Sequence, residues 1–365
     1  MKNSLGVYVH IPFCNSKCAY CDFVSGMYSD DVKSRYFAAL KNEISAFDFD
    51  GYTVDTVYFG GGTPSSVDGK YIADILDVLH RRVMFDPHAE ISVECNPESL
   101  TAAKAGIYAD TGVNRLSIGL QSATDSLLAR IGRRHTLRDF MAALDAAQSR
   151  FDNISADIML GLPGQTERDV ARAVNLLAGR ELRHVSAYAL KVEEGTPLAA
   201  SGYTPDEDLS AELYNVACDM LAGYGYRKYE VSNFAVPGYE CRHNIRYWRR
   251  GEYKGFGIAA HSFVKNTRIE NTSGFDYLDG VTAIAAAYIE PQGAEAAEET
   301  LMLALRTEDG LDIADYKSRF GIDILRDKAD ELALLAEFVD AGGGRLKLTD
   351  KGFYVMNEII VRLLG

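Results

Sequence analysis

The sequence predicts an α/β fold: a partial (β/α)6, TIM-type barrel followed by a small, mostly helical, winged-helix-like domain. Three observations carry that expectation. Six short runs of β-branched and aromatic residues alternate with amphipathic helical stretches, polar residues stand at the ends of those runs, and the alternation stops after Gly195. Strand–helix alternation means a parallel sheet. A doubly wound sheet is the alternative on the same pattern, and ligand-type residues at successive strand ends favour the barrel.

The strand runs are Gly6 to Ile11, Thr53 to Phe59, Glu90 to Glu94, Arg115 to Leu120, Ser155 to Leu160 and Val185 to Leu190. Between them, Asp31 to Phe47, Lys70 to Arg82, Leu137 to Gln148 and Glu167 to Ala178 repeat apolar residues at three and four, the period of a helix with one buried face. After Gly195 come a helix, Glu207 to Leu221, and an aromatic, Gly-rich tract of loops and extra strands to about Asn271. Pro291 to Ala297 reads as a linker, and the tail from about Glu298 as three helices followed by two short strands in Arg345 to Val355. The expected organisation is a barrel core over 1–195, a barrel extension over 196–290 and a C-terminal domain over 298–365.

At 365 residues with 47% hydrophobic content, the chain has enough material for sizeable cores. Its net charge of −14 argues against a broad nucleic-acid or anionic-membrane surface. The tail from Glu295 to Gly365 carries 15 acids and 9 basic residues, which argues against duplex binding through a winged helix. With no signal-peptide pattern and no apolar run long enough for a bilayer, a cytoplasmic protein is expected. Six cysteines in a long chain of that compartment point to ligands or small buried side chains rather than disulfides.

Three of those cysteines, Cys14, Cys18 and Cys21, form a C-x3-C-x2-C loop directly after the first strand. Three thiolates on one loop hold three irons of a cubane and leave the fourth open for a substrate. A structural zinc loop would need a fourth ligand, and His10 stands on the wrong side of the loop. The spacing resembles the radical S-adenosylmethionine (SAM) signature. That resemblance implies a [4Fe–4S] cluster whose open iron chelates the methionine amino and carboxylate groups, and whose electron cleaves the sulfonium to a 5′-deoxyadenosyl radical.

The second strand ends in Gly60-Gly61-Gly62-Thr63-Pro64, where missing Cβ atoms let backbone groups approach a charged amino-acid head. Glu94, Gln121 and Asp157 stand at the ends of later strands, where an unpaired carboxylate inside a parallel sheet is costly. Glu94 and Asp157 suit ribose hydroxyls or adenine; Gln121 and Arg133 suit the carboxylate.

The runs TyrValHisIleProPheCys, PheGlyGlyGlyThrPro, ValGluCysAsnPro, IleGlyLeuGlnSer and AspIleMetLeuGlyLeuProGlyGlnThr make residues 5 to 170 similar to the oxygen-independent coproporphyrinogen III oxidase family. The resemblance implies SAM contacts at Tyr8, Tyr20, Gly62, Thr63, Glu94, Gln121, Arg133 and Asp157. In the oxidase itself a further cysteine follows the triplet as C-x-C, where this chain has Cys21-Asp22-Phe23, and an N-terminal extension precedes the first strand, where this chain begins almost at it. Both departures make radical decarboxylation of a porphyrinogen doubtful and match the heme chaperone (HemW-type) branch. That branch carries H-N-x-x-Y-W, which reads here His243-Asn244-Ile245-Arg246-Tyr247-Trp248.

Between Arg242 and Lys254 there are five basic residues against Glu252, and the chain's only Trp lies among them. An iron-ligating histidine, flat aromatic faces and guanidinium groups suit an anionic planar macrocycle such as heme. His243 is therefore the expected heme ligand, with an unidentified protein as heme acceptor. Cys95, Cys218 and Cys241 are expected to be non-ligands, His261 a core or loop histidine, and a homodimer is an open expectation.

Overall fold

The structure, a computed structural model, describes residues 3–279, 284–289 and 293–365. Strands β1 (Asn3–Ile11), β2 (Tyr52–Gly61), β3 (Met84–Cys95), β4 (Arg115–Gln121), β5 (Ile154–Leu160) and β6 (His184–Ala189) run parallel, each beside the next in chain order. The connections carry α1 (Asp30–Ala46), α2 (Gly69–Arg82), α3 (Ala102–Asp110), α4 (Asp125–Arg130), α5 (Leu137–Gln148) and α6 (Glu167–Gly179). Right-handed crossovers that always step to the next neighbour put every helix on the same face of the sheet, whereas a doubly wound sheet reverses partway. The strand order never reverses, so the partial barrel is the fold.

Local chemistry explains the helices. In α2, Ile72, Ile75, Leu76 and Leu79 are buried along one stripe, and Asp68 caps the first turn by accepting from the Lys70 N–H at 3.0 Å. In α5, Thr136 and Asp139 cap each other reciprocally: the Thr136 N–H donates to Asp139 at 2.8 Å and the Asp139 N–H to the Thr136 hydroxyl at 3.3 Å. The strands show period two. Leu116, Ile118 and Leu120 of β4 are buried in the core, while Arg115, Ser117, Gly119 and Gln121 face inward to a cavity. Polar residues inside a parallel strand are tolerated here because that face meets a cavity rather than a second helix layer.

The tract after β6 holds α7 (Pro197–Ala200), α8 (Glu207–Gly223), β7 (Arg227–Lys228), β8 (Asn233–Ala235), α9 (Arg242–Trp248), β9 (Tyr253–Phe256), β10 (His261–Val264), β11 (Thr267–Asn271) and β12 (Ile284–Ile289). It extends both margins of the barrel. β8 lies antiparallel on β6 with β7 beyond it, and β9 lies parallel on β1 with β10, β11 and β12 following antiparallel. Among the described residues the result is one 12-stranded sheet that runs from β12 to β7 without closing, an open barrel.

The C-terminal segment corrects two expectations. Pro291 and Gln292 of the expected linker lie outside the described residues, but Ala294 to Ala297 are the first turn of α10 (Ala294–Ala304), with Ala296 and Ala297 buried. An Ala- and Glu-rich run favours helix over linker. Arg345 to Val355 is not two strands. Arg345–Leu348 is one strand (β15); Thr349 then caps α14 (Asp350–Tyr354), accepting from the Gly352 N–H at 3.2 Å, and α15 (Met356–Leu364) follows. β15 pairs with β13 (Leu311–Asp312) and β14 (Val339–Asp340), so the wing is the β14–β15 hairpin. With α11 (Ile313–Phe320), α12 (Ile324–Asp327) and α13 (Ala329–Leu334), these elements enclose a separate apolar core from Ala297 to Leu363.

Candidate functional site

The carboxyl ends of β1 to β6 open onto a cavity of about 330 Å³. Cys14, Cys18, Tyr20, Cys21, Gly62, Thr63, Glu94, Gln121, Arg133 and Asp157 all line it, so the structure gathers ten of the eleven residues the sequence assigned to cluster and SAM. The exception is Tyr8, which lines an adjoining cavity instead. The two share Phe23, Gly61 and Glu94 as a common wall.

The cysteine loop is held from below. Cys14 N–H donates to Gly26 O at 2.9 Å, Ala19 N–H to Ile131 O at 3.0 Å, and the Lys17 ammonium to Phe23 O at 2.9 Å. All three thiols are free and half-buried. Among the described residues no group of three His, Cys, Asp or Glu side chains could hold a single ion. In a cubane each thiolate takes a different iron, which suits three cysteines spread along one loop. His10 is excluded as a fourth ligand, since its ring nitrogens meet the Tyr8 hydroxyl at 3.1 Å and Val24 O at 2.9 Å.

Two backbone N–H groups of the glycine run hold the cysteine loop, Gly62 N–H donating to Ile11 O at 2.9 Å and Thr63 N–H to Phe13 O at 2.8 Å, while Gly61, Gly62 and Thr63 line the cavity. A Cβ on Gly62 would lie 2.8 Å from Phe13 O, which is why glycine stands there. Only Gly61 N–H turns to the site, donating to Glu94 at 3.3 Å.

Arg133 ties the site together. Its Nη1 donates to Cys18 Sγ at 3.4 Å, and its Nη2 to Asn96 Oδ1 and Gly119 O, both at 2.9 Å. Gln121 sits at φ +63°, a left-handed value at a bulge in β4 that turns the strand end toward the cavity. Burial pushes the Glu94 carboxyl up to about 7, against the pull of the Tyr58 hydroxyl, which donates to it at 2.8 Å. Burial also raises Asp157, which accepts from the Ser117 hydroxyl at 3.1 Å. The buried Nε atoms of Arg115 and Arg133 have no hydrogen-bond partner. Two carboxylates and two guanidinium groups lining one cavity fit a zwitterionic, cationic ligand such as SAM, and the free thiols beside them fit a cluster.

Sequence reasoning missed Arg115, Tyr58, Ser117, Asn96, Ser186, Tyr188 and Asn244, which also line the cavity. Stepping back by two from Gln121 would have found Arg115 and Ser117; nothing local points to Asn244.

The expected heme segment lies at the opposite end of the barrel. Helix α9 plugs the amino ends of the strands, with Glu90 accepting from the backbone N–H groups of Arg242 at 3.1 Å and His243 at 3.2 Å. His243 is buried. Its Nδ1 meets the Thr56 hydroxyl at 2.9 Å, its Nε2 the Tyr247 hydroxyl at 2.8 Å, and its ring stacks on Tyr58 at 5.2 Å. Burial lowers its pKa to about 3, and it lines none of the cavities described. Neither nitrogen is open to an iron, so the arrangement does not support the expected role of His243 as a heme ligand. The basic cluster is not free either: Arg242 and Arg246 face Asp55, Arg249 faces Asp309, Arg250 faces Glu299 and Lys254 faces Glu43. Cys95 is buried and lines the same cavity as the loop cysteines, Cys241 is buried, and Cys218 packs against the main core.

Comparison with known proteins agrees with this layout. Residues 8–177 match the family model described as the radical SAM superfamily, and residues 292–355 match the HemN C-terminal domain. Proteins named heme chaperone HemW align along the whole chain. The Mycobacterium tuberculosis protein is 37% identical over 99% of this chain and 95% of its own, and the Bacillus subtilis protein 33% identical over 98% of each. The solved Escherichia coli coproporphyrinogen III oxidase (HemN), a radical SAM enzyme by its title, superposes with a TM-score of 0.86 over 99% of this chain and 90% of its own at 22% identity, a likeness of fold.

Proposed function

The chain belongs to the radical SAM superfamily and, within it, to the family of proteins named heme chaperone HemW, and from that premise we propose that it binds a [4Fe–4S] cluster, SAM and heme, and passes heme to an acceptor protein. Cys14, Cys18 and Cys21 hold the cluster. Arg133 and Gln121 orient the carboxylate end of SAM, and Glu94 and Asp157 accept from its hydroxyl and amino donors. When bound, the reduced cluster supplies one electron to the SAM sulfonium. The chain's own part is to position and to exclude water. Tyr20, half-buried with Leu127, Ile131, Leu190 and Leu198, closes one side of the cavity with apolar surface. The reading includes a cytoplasmic location; among the described residues no helix is long and apolar enough to cross a membrane.

The observation that carries the reading is the meeting of three free thiols with the carboxylates of Glu94 and Asp157 and the guanidinium groups of Arg115 and Arg133 in one cavity. Its test is anaerobic reconstitution with iron and sulfide followed by titration with hemin. The expected result is about four irons per chain in the wild type, none in Cys18→Ala, and heme retained by both. A wild type that takes up no cluster, or a chain that takes up no heme, would refute it.

A further inference from the structure

A cluster that gives one electron to a bound ligand must first receive one from outside the chain, across the surface nearest its three thiols. Two unlike patches meet on that surface, and the first is basic. Between Asp125 and Asp139 the chain carries Arg130, Arg133, Arg134 and Arg138 and no acid, a local charge of +4 in a chain of −14. The middle of this segment, between α4 and α5, packs on the cysteine loop: Ala19 N–H donates to Ile131 O at 3.0 Å, and a Cβ on Gly132 would lie 3.1 Å from Ala19 N. Arg133 turns inward to Cys18, whereas Arg130, Arg134 and Arg138 stay exposed. Arg134 donates to Asn15 O at 3.4 Å, in the loop between Cys14 and Cys18, and Arg130 donates to Pro163 O at 2.7 Å. Those partners are carbonyls, so they leave the positive charges standing, unlike the basic residues of α9 with their facing carboxylates.

The second patch is apolar. Phe23 and Met27, just past Cys21, are 62% and 70% exposed. This segment is tied to the same loop: the Lys17 ammonium donates to Phe23 O at 2.9 Å and Ser25 O at 3.4 Å, and Cys14 N–H donates to Gly26 O at 2.9 Å. Asp22 is the only acid between Cys14 and Met27. Exposed charge of one sign beside uncovered apolar side chains, next to a redox site, is the make-up of a transient electron-transfer interface, small, steered by charge and closed by a few apolar contacts. The positive sign selects an acidic partner. A nucleic acid would call for a longer basic stripe than three exposed arginines.

We propose that residues 130–138 and 23–27 together form the docking face for an acidic, low-potential one-electron carrier protein. In the step this face serves, one electron leaves the reduced carrier and enters the cluster, which passes from the 2+ to the 1+ state as the carrier becomes oxidised. No bond is made or broken and no proton moves. The assignment rests on the cluster-carrying reading above and supplies the partner that reading requires.

The test uses full-length, cluster-reconstituted protein with a plant-type [2Fe–2S] ferredoxin as the acidic carrier. Calorimetric titration gives the affinity. Stopped-flow mixing of dithionite-reduced protein, freed of excess reductant, with oxidised ferredoxin gives the rate of electron exchange. Wild-type affinity is expected to fall as salt rises. Arg134→Glu should weaken binding and slow exchange about tenfold at low salt with iron and sulfide content unchanged, and Arg134→Lys should keep both near wild type. Met27→Ser should weaken binding about threefold at every salt concentration, since it removes apolar contact and no charge. A cluster-loaded wild type that does not bind ferredoxin or binds it without salt dependence, or an Arg134→Glu protein with wild-type affinity and rate, overturns the docking face while leaving the cluster reading intact. A wild type that holds no cluster overturns both.

Discussion

The two ends of the barrel carry similar residue types and do opposite things with them. Toward the carboxyl ends, Glu94, Asp157 and Arg133 line a cavity that reaches down to Arg115 at the start of β4. At the amino ends, His243, Glu90, Arg246 and Asp55 form a closed plug in which the histidine has both ring nitrogens bonded and Arg246 meets Asp55, although the Arg246 Nε has no hydrogen-bond partner of its own. The difference teaches that ligand chemistry is marked by polar groups that line a cavity, not by the presence of His, Arg and aromatic residues.

The largest contrast to test is at the cysteines. Cys18→Ala is expected to abolish cluster assembly, read as iron and sulfide per chain, while shifting stability by no more than about 0.5 kcal/mol, because the thiol is half-buried and on a loop. A loss of several kcal/mol would put Cys18 on the structural side of the comparison. His243→Ala is expected to do the converse, costing about 2–4 kcal/mol in denaturant unfolding through the two hydroxyls it leaves unpaired, with cluster content unchanged.

Acid and base sharpen the contrast further. His243 has its folded pKa lowered from 6.5 to about 3, so the unfolded chain binds the extra proton between those values. Its contribution is therefore complete above pH 6.5 and declines as pH falls, at about 1.4 kcal/mol per pH unit for this proton. The difference between wild type and His243→Gln isolates it from the other histidines. Glu94 has its folded pKa raised from 4.5 to about 7, so its contribution is present below 4.5 and lost as pH rises through 7. Glu94→Gln should accordingly stabilise the apo protein by about 1–2 kcal/mol at pH 8 and not at pH 4.5, while weakening SAM about tenfold by isothermal titration. Equal pH profiles for both variants would erase the distinction between the two ends.

Much of this was legible in the sequence where the signal is local. The cysteine loop, the β/α alternation and the acidic strand ends lie within single elements, and ten of the eleven residues they suggested meet in one cavity. The tail was misread where local chemistry was underweighted: Thr349 before Asp350 is a helix cap, and Ala294 to Ala297 is a helical composition. His243 was illegible for a different reason. Tyr247, which takes Nε2, lies one turn on in the same helix, but Thr56, which takes Nδ1, and Tyr58, which stacks on the ring, lie in β2, about half the chain away.

The most direct test of the open end is the electron paramagnetic resonance spectrum of the dithionite-reduced, reconstituted protein with and without SAM. A ligand that coordinates the cluster must change its g-values, and the same addition to Arg133→Ala, whose guanidinium touches Cys18 Sγ, should change them less. A spectrum that SAM leaves untouched in the wild type would contradict an open iron in this cavity.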